Sequence, residues 1–252
     1  MNNIPKTTKI NQLIKSWPRG TIKTVKELER LGYSPQLLKN YKNSGWIELY
    51  TKGAYKLFDD NISWEGVLYG LQNRGETTLH AGARTALELK GYGHFARVTN
   101  KYLFGGRSEN YNVLLKKLQD VTLKKTQVFS YDEERFFTKY KVEGFEIGIS
   151  SPELAAMEMI YLIPSEQSFN EATLIMENLT TLRPKMVQQL LERCGSYKVK
   201  RIFMWMAEKN NHTWVNDINL TKVDFGKGKL SIIKNGMLNK KYNITVPRED
   251  EK

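Results

Sequence analysis

Four polar side chains recur at helical spacing near the start of the chain: Gln36, Lys39, Asn40 and Asn43. Offsets of three, four and seven residues place all of them on one face of an α-helix. Asparagine and glutamine amides suit the edge of an adenine, and a lysine can reach guanine or a phosphate. Lys42 lies beside this face, where it suits a phosphate better than a base. The alternative is an ordinary solvated helix face, because the spacing indicates exposure rather than contact.

The segment that carries these side chains has the signals of a complete helix. Ser34 is a good N-cap, and Pro35 occupies the first helical position, where its missing N–H costs nothing. The inward-facing positions are apolar, namely Leu37, Leu38 and Tyr41. We expect a helix from Pro35 to Ser44, ended by Gly45, that is anchored on one side and polar on the other.

Two shorter helices and a hairpin surround this segment. The first predicted helix runs from about Thr8 to Trp17, and the second begins after Thr24, with Glu27 placed as in a capping box. Two β-prone runs, 46–50 and 54–58, flank a turn that contains Gly53. The order helix, helix, turn, helix, hairpin predicts a winged helix-turn-helix within roughly the first 60 residues.

The remaining candidate DNA contacts flank the polar helix face. Lys52 precedes Gly53 in the hairpin turn, and a glycine lets a turn approach a duplex closely. Other polar residues lie beside the N-termini of the second and third helices, where phosphates bind favourably. These predicted contacts are Arg19, Lys23, Thr24, Ser34 and Lys52, with Lys26 beside them.

The distribution of charge favours a polyanionic partner. The chain of 252 residues has a formal net charge of +12. Residues 1–60 carry 11 Lys/Arg against 5 Asp/Glu, residues 61–180 carry 13 against 15, and residues 181–252 carry 15 against 7. Positive charge at both ends of the chain is expected of surfaces aimed at a phosphate backbone. A protein that is merely basic is the alternative.

The rest of the chain predicts a mixed α+β domain. We expect a winged helix-turn-helix domain over 1–93, with further helices at 63–72 and 79–90, and an α+β domain over 94–252. The predicted strands are 95–104, 126–131, 136–142, 145–150, 230–234 and 242–246, the last two joined through Asn235-Gly236. The predicted helices are 151–162, 170–179, 184–194 and 198–209.

Two basic motifs of the second domain have alternative interpretations. Lys198, Lys200 and Arg201 lie on a predicted helix, as either a solvated basic face or a second nucleic-acid contact. The Gly-Lys-Gly-Lys segment at 226–229 resembles half of a phosphate-binding loop. It lacks the Lys-Ser/Thr pair that enters a helix in such loops, which favours a β-turn.

No residue cluster indicates catalysis, a cofactor or a metal site. Cys194 is the single cysteine and resembles a buried apolar residue more than a nucleophile. The three histidines are dispersed, without zinc-ligand spacing. Neither a signal peptide nor an apolar run of about 18 residues is present. We expect a cytoplasmic protein that is not an enzyme.

Distinctive motifs occur at both ends of the chain. The N-terminal ones are Gly20-Thr21-Ile22-Lys23-Thr24, Gly32-Tyr33-Ser34, Ser44-Gly45-Trp46-Ile47 and Gly53-Ala54-Tyr55. The C-terminal ones are Ser151-Pro152-Glu153-Leu154-Ala155, residues 194–203, His212-Thr213-Trp214, Gly226-Lys227-Gly228-Lys229 and residues 241–247. Together they resemble the AbiEi-type antitoxins of type IV, or abortive-infection, toxin–antitoxin systems, over nearly the whole chain.

The resemblance implies a repressor with a second role. Proteins of this kind bind inverted repeats of their own promoter in double-stranded DNA through the N-terminal winged helix. They also counteract a nucleotidyltransferase-like toxin that is encoded beside them, and a stable complex with it is not required. The C-terminal domain is associated with this antitoxic activity, but no individual antitoxic residue can be transferred to this sequence.

Two other functions remain open from the sequence. One is a nucleic-acid-processing enzyme whose winged helix positions the substrate, with its catalytic group between residues 94 and 252. The other is a transcriptional regulator with a ligand-sensing C-terminal domain.

Overall fold

The architecture is that of a computed structural model, which describes residues 8–75, 77–93, 100–107 and 111–248. Two compact units make up the chain. The N-terminal unit contains Met1–His80, Ser108–Val121 and Lys139–Gly148, and the C-terminal unit contains Ala81–Arg107, Thr122–Thr138 and Ile149–Lys252. The units do not follow the single boundary expected after residue 93, because two later segments return to the N-terminal unit.

Residues 9–57 form a winged helix-turn-helix. Its elements are α1 Lys9–Lys15, β1 Ile22–Thr24, α2 Val25–Arg30, α3 Pro35–Asn43, β2 Ile47–Thr51 and β3 Ala54–Leu57. The antiparallel sheet has the order β1-β3-β2, with Lys23 opposite Tyr55. The sequence predicted all of these elements except β1, whose three residues are too short a run to show a strand's alternation.

Hydroxyl side chains begin all three helices of this fold. The hydroxyls of Thr8, Thr24 and Ser34 accept the backbone N–H of Asn11, Glu27 and Leu37, respectively. Each bond satisfies a donor that the first helical turn leaves without a partner. Gly32 and Gly45 end α2 and α3 at φ of +84° and +71°, a conformation that favours glycine. Local sequence therefore sets the limits of α3.

A small apolar core holds the helices against the sheet. Its buried members are Leu13, Trp17, Leu28, Tyr33, Leu38, Ile47 and Leu57. Leu38 is the only buried residue of α3, at 1% exposure. Burying a leucine side chain stabilises a fold by about 1.5–3 kcal/mol. The position of α3 on the core therefore depends strongly on Leu38.

Helix α4, Trp64–Gln72, lies backbone to backbone against the β1 region. A Cβ at Gly66 would lie 1.7 Å from the Gly20 carbonyl oxygen, and one at Gly70 would lie 2.4 Å from that of Ile22. Both positions therefore require glycine. At the end of α4, the Gln72 amide donates to the Gly148 carbonyl at 3.0 Å and accepts its N–H at 2.8 Å.

A five-stranded sheet follows in the chain. Its strands are β4 His80–Ala81, β5 Lys101–Gly105, β6 Val121–Lys125, β7 Phe137–Val142 and β8 Phe145–Ser150. The order is β6-β5-β4-β8-β7, with β4 parallel to β8 through Ala81 and Ile149. Two helices lie between these strands in sequence, α5 Ala83–Leu89 and α6 Asn112–Leu115. The predicted hairpin of β7 and β8 is confirmed, with Gly144 in its turn at φ +84°.

Four helices and a small hairpin complete the C-terminal unit. They are α7 Pro152–Tyr161, α8 Phe169–Glu177, α9 Pro184–Arg193, α10 Tyr197–Lys209, β9 Met237–Asn239 and β10 Ile244–Val246. All four helices lie where the sequence predicted them. Residues 153–160 of α7 are all buried, which makes it the central helix of the unit.

The strand prediction for residues 126–131 is wrong. β6 ends at Lys125, and the hydroxyl of Thr126 then accepts the N–H of Val128 at 3.0 Å, which turns the chain out of the sheet. The strand predicted over 95–104 corresponds to β5 from Lys101 onward, and residues 95–99 lie outside the described part of the chain.

The strand predicted over 230–234 is also wrong, for a similar reason. Only Leu230 forms a bridge, to Ile244. The N–H groups of Ile232 and Ile233 donate to the hydroxyl of Thr245 at 2.7 and 3.1 Å, so the chain turns. Pairing resumes in β9, and the Asn235-Gly236 segment precedes that hairpin rather than closing it.

A buried carboxylate, Glu158 of α7, joins three separate elements of the C-terminal unit. Its Oε2 accepts the Ala83 N–H at 2.9 Å and the Ser150 hydroxyl at 2.7 Å, and its Oε1 accepts the Tyr131 hydroxyl at 3.2 Å. Ala83 adopts φ +48°, so the helix predicted over 79–90 begins only there. Burial, followed by the Glu158 charge, raises the pKa of Tyr131 well above its usual value.

Replacing Glu158 with alanine should lower the free energy of unfolding by about 3 kcal/mol, because buried donors lose their acceptor. Glu158→Gln keeps the shape and one acceptor and should cost less. Chemical denaturation measures both, with the exposed Glu177→Ala on α8 as the matched control, expected to stay within about 0.5 kcal/mol of the parent chain. An alanine variant as stable as the control would contradict the role of Glu158.

Candidate nucleic-acid interface

Helix α3 presents a polar face to solvent and an apolar face to the core. Leu38 is buried, while Leu37 and Tyr41 are half-buried against the same cluster. The exposed residues of the helix are the predicted contacts Gln36, Lys39, Asn40, Lys42 and Asn43, together with Pro35. Ser34, also predicted as a contact, is exposed and caps the helix through its hydroxyl.

Two side chains of the polar face are bonded to each other. Gln36 Nε2 donates to Asn40 Oδ1 at 3.2 Å, one helical turn apart. This bond orients both amides and uses one donor of Gln36 and one acceptor of Asn40. Gln36 Oε1 and Asn40 Nδ2 remain available, which is the acceptor and donor pairing that a nucleobase edge can complement.

The turn before α3 is tied to the helices on both sides. The Tyr33 N–H donates to the Leu28 carbonyl at 3.0 Å, closing the end of α2. Lys9, which the sequence did not single out, donates from Nζ to the Gly32 carbonyl at 3.4 Å. Its ammonium therefore lies at this turn, and only the packing of α1 across the turn brings it there.

The wing is a minimal turn that carries one exposed lysine. Lys52 and Gly53 are both exposed between β2 and β3, and Gly53 adopts φ +93°. The Gly53 carbonyl accepts the Val25 N–H at 2.9 Å, so the wing turn lies beside the start of α2.

Two further cations of the N-terminal unit are exposed outside the wing. The side chain of Arg19 is 70% exposed and lies 3.8 Å from Asp60. Lys26 is exposed in the first turn of α2.

The structure corrects two of the predicted contacts, Lys23 and Thr24. Both belong to β1, the strand that the sequence did not predict, and they are only 5% and 2% exposed. Lys23 Nζ lies 2.5 Å from Glu27 Oε1 and 5.8 Å from the centre of the Trp17 ring. The Thr24 hydroxyl caps α2. Both faces of β1 are covered, so these two side chains are buried on opposite sides of the strand instead of being exposed as predicted.

The ion pair of Lys23 and Glu27 is enclosed within the N-terminal unit. Burial is the largest influence on Glu27 and raises the pKa of its carboxyl, although the Lys23 bond opposes this shift. Glu27 Oε2 is buried without a hydrogen-bond partner in the described part of the chain. Lys23 is therefore the largest source of compensation for this carboxylate, with smaller contributions from the Arg30 charge and the Thr24 backbone.

The structure also corrects the second basic face. Lys200 and Arg201 are only 4% and 2% exposed, and α10 is buried on most of its circumference. Lys198 is half-buried and donates to the carbonyls of Tyr161 and Ile163 at 2.9 and 2.5 Å. Burial lowers the pKa of its ammonium. These three cations are therefore not a solvated face, because other segments of the C-terminal unit cover them.

Neither a membrane span nor a metal cluster is found in the part of the chain that the structure describes. No helix there is both long and apolar enough to cross a bilayer. No group of three or more His, Cys, Asp or Glu side chains in those residues is arranged to hold a metal ion.

The fold and its exposed helix define a winged helix-turn-helix protein. A family model described as "Transcriptional regulator, AbiEi antitoxin, Type IV TA system" matches residues 107–247, and one for the AbiEi antitoxin N-terminal domain matches residues 6–98. The chain therefore belongs to the AbiEi antitoxin family of transcriptional regulators in type IV toxin–antitoxin systems, which confirms the resemblance of its terminal motifs.

A solved structure shares this fold over almost the whole chain. The crystal structure of the RV2827C protein from Mycobacterium tuberculosis matches with a TM-score of 0.63 at 12% sequence identity, covering 93% of this chain and 88% of that one. At this identity the similarity concerns the fold alone. No curated protein matches the sequence.

Replacing Lys23 with methionine should lower the free energy of unfolding by about 3 kcal/mol, because the Glu27 carboxylate stays buried without its counter-charge. The deficit should shrink as the pH falls, since a carboxyl with a raised pKa is readily neutralised. Denaturation curves measure the effect.

Two matched variants make this test specific. Lys39→Met removes an exposed lysine and should change stability by less than about 0.5 kcal/mol. The double variant Lys23→Met with Glu27→Leu should recover most of the loss, because no charge remains buried. A Lys23→Met variant as stable as Lys39→Met would contradict the buried pair.

Proposed function

We propose that this chain represses its own operon by binding promoter inverted repeats with α3 in the major groove. The observation that carries the proposal is the arrangement of α3, in which five polar side chains are exposed around a single buried anchor, Leu38. A groove-reading helix needs this arrangement, because its inner face must hold it while its outer face meets the bases. Membership in a family of transcriptional regulators supports the proposal.

Each exposed side chain has a role suited to its chemistry. Gln36, Asn40 and Asn43 would contact base edges, with Lys39 at a guanine or a nearby phosphate. Lys42, Lys52 and Arg19 would bind phosphates on either side of α3, with Ser34 at its N-terminus. Two copies on an inverted repeat would lie one helical turn or a multiple of it apart, roughly 34 Å.

The second proposed role is antitoxic. The chain would counteract a nucleotidyltransferase-like toxin encoded beside it, without requiring a stable complex with that toxin. The antitoxin family and the match of its model to most of the C-terminal unit support this role. We assign no individual residue to it.

Lys39→Ala and Asn40→Ala should each weaken binding to the promoter repeats by about 1–3 kcal/mol, because each removes a base-directed contact. Gel-shift titration of the full chain on the native and a scrambled promoter measures the effect. Lys209→Ala removes an exposed lysine at the end of α10 and is the matched control. Unchanged affinity in both α3 variants would remove this helix as the reader.

The Lys52→Ala variant removes a proposed phosphate contact, in contrast to the proposed base contacts of α3. It should weaken binding to native and scrambled duplexes alike and reduce the salt slope by about one unit. A loss confined to the native promoter would contradict its assignment to a phosphate.

The antitoxic role is tested by co-expression with the neighbouring toxin. The full chain, expressed from an unrelated promoter, should restore growth of cells that produce the toxin. The double variant Lys39→Ala/Asn40→Ala should restore growth equally while failing to repress a reporter, because antitoxicity is assigned to the C-terminal unit. Failure of the parent chain to restore growth would contradict the antitoxic role without affecting the repressor role.

A further inference from the structure

A basic cavity lies within the C-terminal unit, and none of the residues proposed above to contact DNA lines it. Its volume is about 570 Å³, and its walls include Arg201 of α10, the loop at 225–228 and residues 241–243. The charged residues that line it are Arg201, Lys227 and Lys241, and none of its lining residues is acidic. The apolar part of the wall includes Leu220 and Phe225.

Arg201 is the buried cation of this cavity. It is 2% exposed, and among the described residues its guanidinium forms no salt bridge within 4.0 Å, although it interacts at longer range with the Asp224 carboxylate. Its Nε donates to the Phe225 carbonyl at 2.7 Å, and its Nη1 donates to the carbonyls of Gly228 and Asn243 at 2.7 and 3.3 Å. A buried charge is costly unless it is compensated, and these carbonyl dipoles and the more distant carboxylate compensate it only in part.

The loop that closes on Arg201 is pre-formed around Gly226. Asp224 accepts the Gly226 N–H at 2.8 Å and the Tyr197 hydroxyl at 3.1 Å, and these bonds lower the pKa of its carboxyl. Gly226 adopts φ +70°, and a Cβ there would lie 2.6 Å from the Tyr197 ring. The Gly-Lys-Gly-Lys segment is therefore a fixed loop that presents Lys227 at the cavity.

The hydrogen-bond donors of the cavity that have no partner in the described part of the chain are suited to binding an anion. Nη2 of Arg201 has no acceptor among the described residues, and Lys227 is exposed with no carboxylate of that part of the chain in ion-pair distance. Lys241 is already paired, with its Nζ 2.6 Å from Glu208. A buried guanidinium and an exposed ammonium thus line the same cavity, and phosphate oxygens accept hydrogen bonds from both kinds of donor.

We infer that this cavity binds a nucleoside phosphate, with the phosphate between Arg201 and Lys227 and the base against Phe225. Its volume lies within the range of small-molecule sites, roughly 300–1,000 Å³, and is larger than a lone phosphate needs. The aromatic ring offers a stacking surface that accepts any base. The inference concerns the C-terminal unit alone and does not depend on the proposed DNA binding.

Isothermal titration of the full chain with ADP and GDP tests the inference. At least one of them should bind with one site per chain, and adenosine, guanosine and inorganic phosphate should each bind at least about tenfold more weakly, because each lacks half of the contacts. Arg201 also holds the loop, so Lys227 is the residue to change. Lys227→Ala should weaken nucleotide binding about tenfold through loss of one charge-assisted contact, with an unchanged melting temperature.

Lys229→Ala is the matched control, because Lys229 is an exposed lysine of the same loop that does not line the cavity. It should leave nucleotide affinity unchanged. Absence of nucleotide binding, equal loss in both lysine variants, or inorganic phosphate binding as tightly as the nucleotides would each overturn the inference. None of these results bears on gel-shift affinity, so they leave the proposed repressor function untouched.

Discussion

The burial of a single leucine beside exposed polar neighbours is the constraint on which the polar face of α3, the proposed DNA-binding surface, depends. Leu38 is 1% exposed within the cluster formed with Leu13, Trp17, Leu28 and Ile47, whereas the residues that follow it, Lys39 and Asn40, are exposed. A nine-residue helix is not stable alone in water, so its orientation comes from this packing. The small apolar core therefore determines which side chains of α3 are exposed.

A second constraint acts beneath that surface, at the start of α2. Lys23 of β1 and Glu27 of α2 form a buried ion pair, and the Thr24 hydroxyl caps α2 beside it. These residues lie close in sequence to the exposed cations Arg19 and Lys26, yet they are buried and stabilise the fold. The positive charge of the first 60 residues is thus divided between a supporting role and a surface role, and a net charge cannot distinguish the two.

Local signals predicted the helices well, since caps and glycine stops act within a few residues, as Ser34 and Gly45 do for α3. The strands were harder to predict. β1 is defined by a partner strand 30 to 34 residues away, and the hydroxyls of Thr126 and Thr245 turn β-prone segments out of the sheet by accepting backbone N–H groups. The α3 face could be predicted from spacing. The burial of Lys23 and Arg201 could not be predicted, because their partners are determined by tertiary packing.

The groove that the chain occupies on its promoter tests the proposed role of α3 most directly. Dimethyl sulfate methylates guanine N7 in the major groove and adenine N3 in the minor groove, so a methylation footprint of the bound promoter separates the two. With α3 seated as its exposed face suggests, the chain should protect guanine N7 in both halves of the inverted repeat. Protection confined to adenine N3, or no protected base in either half, would contradict the central claim.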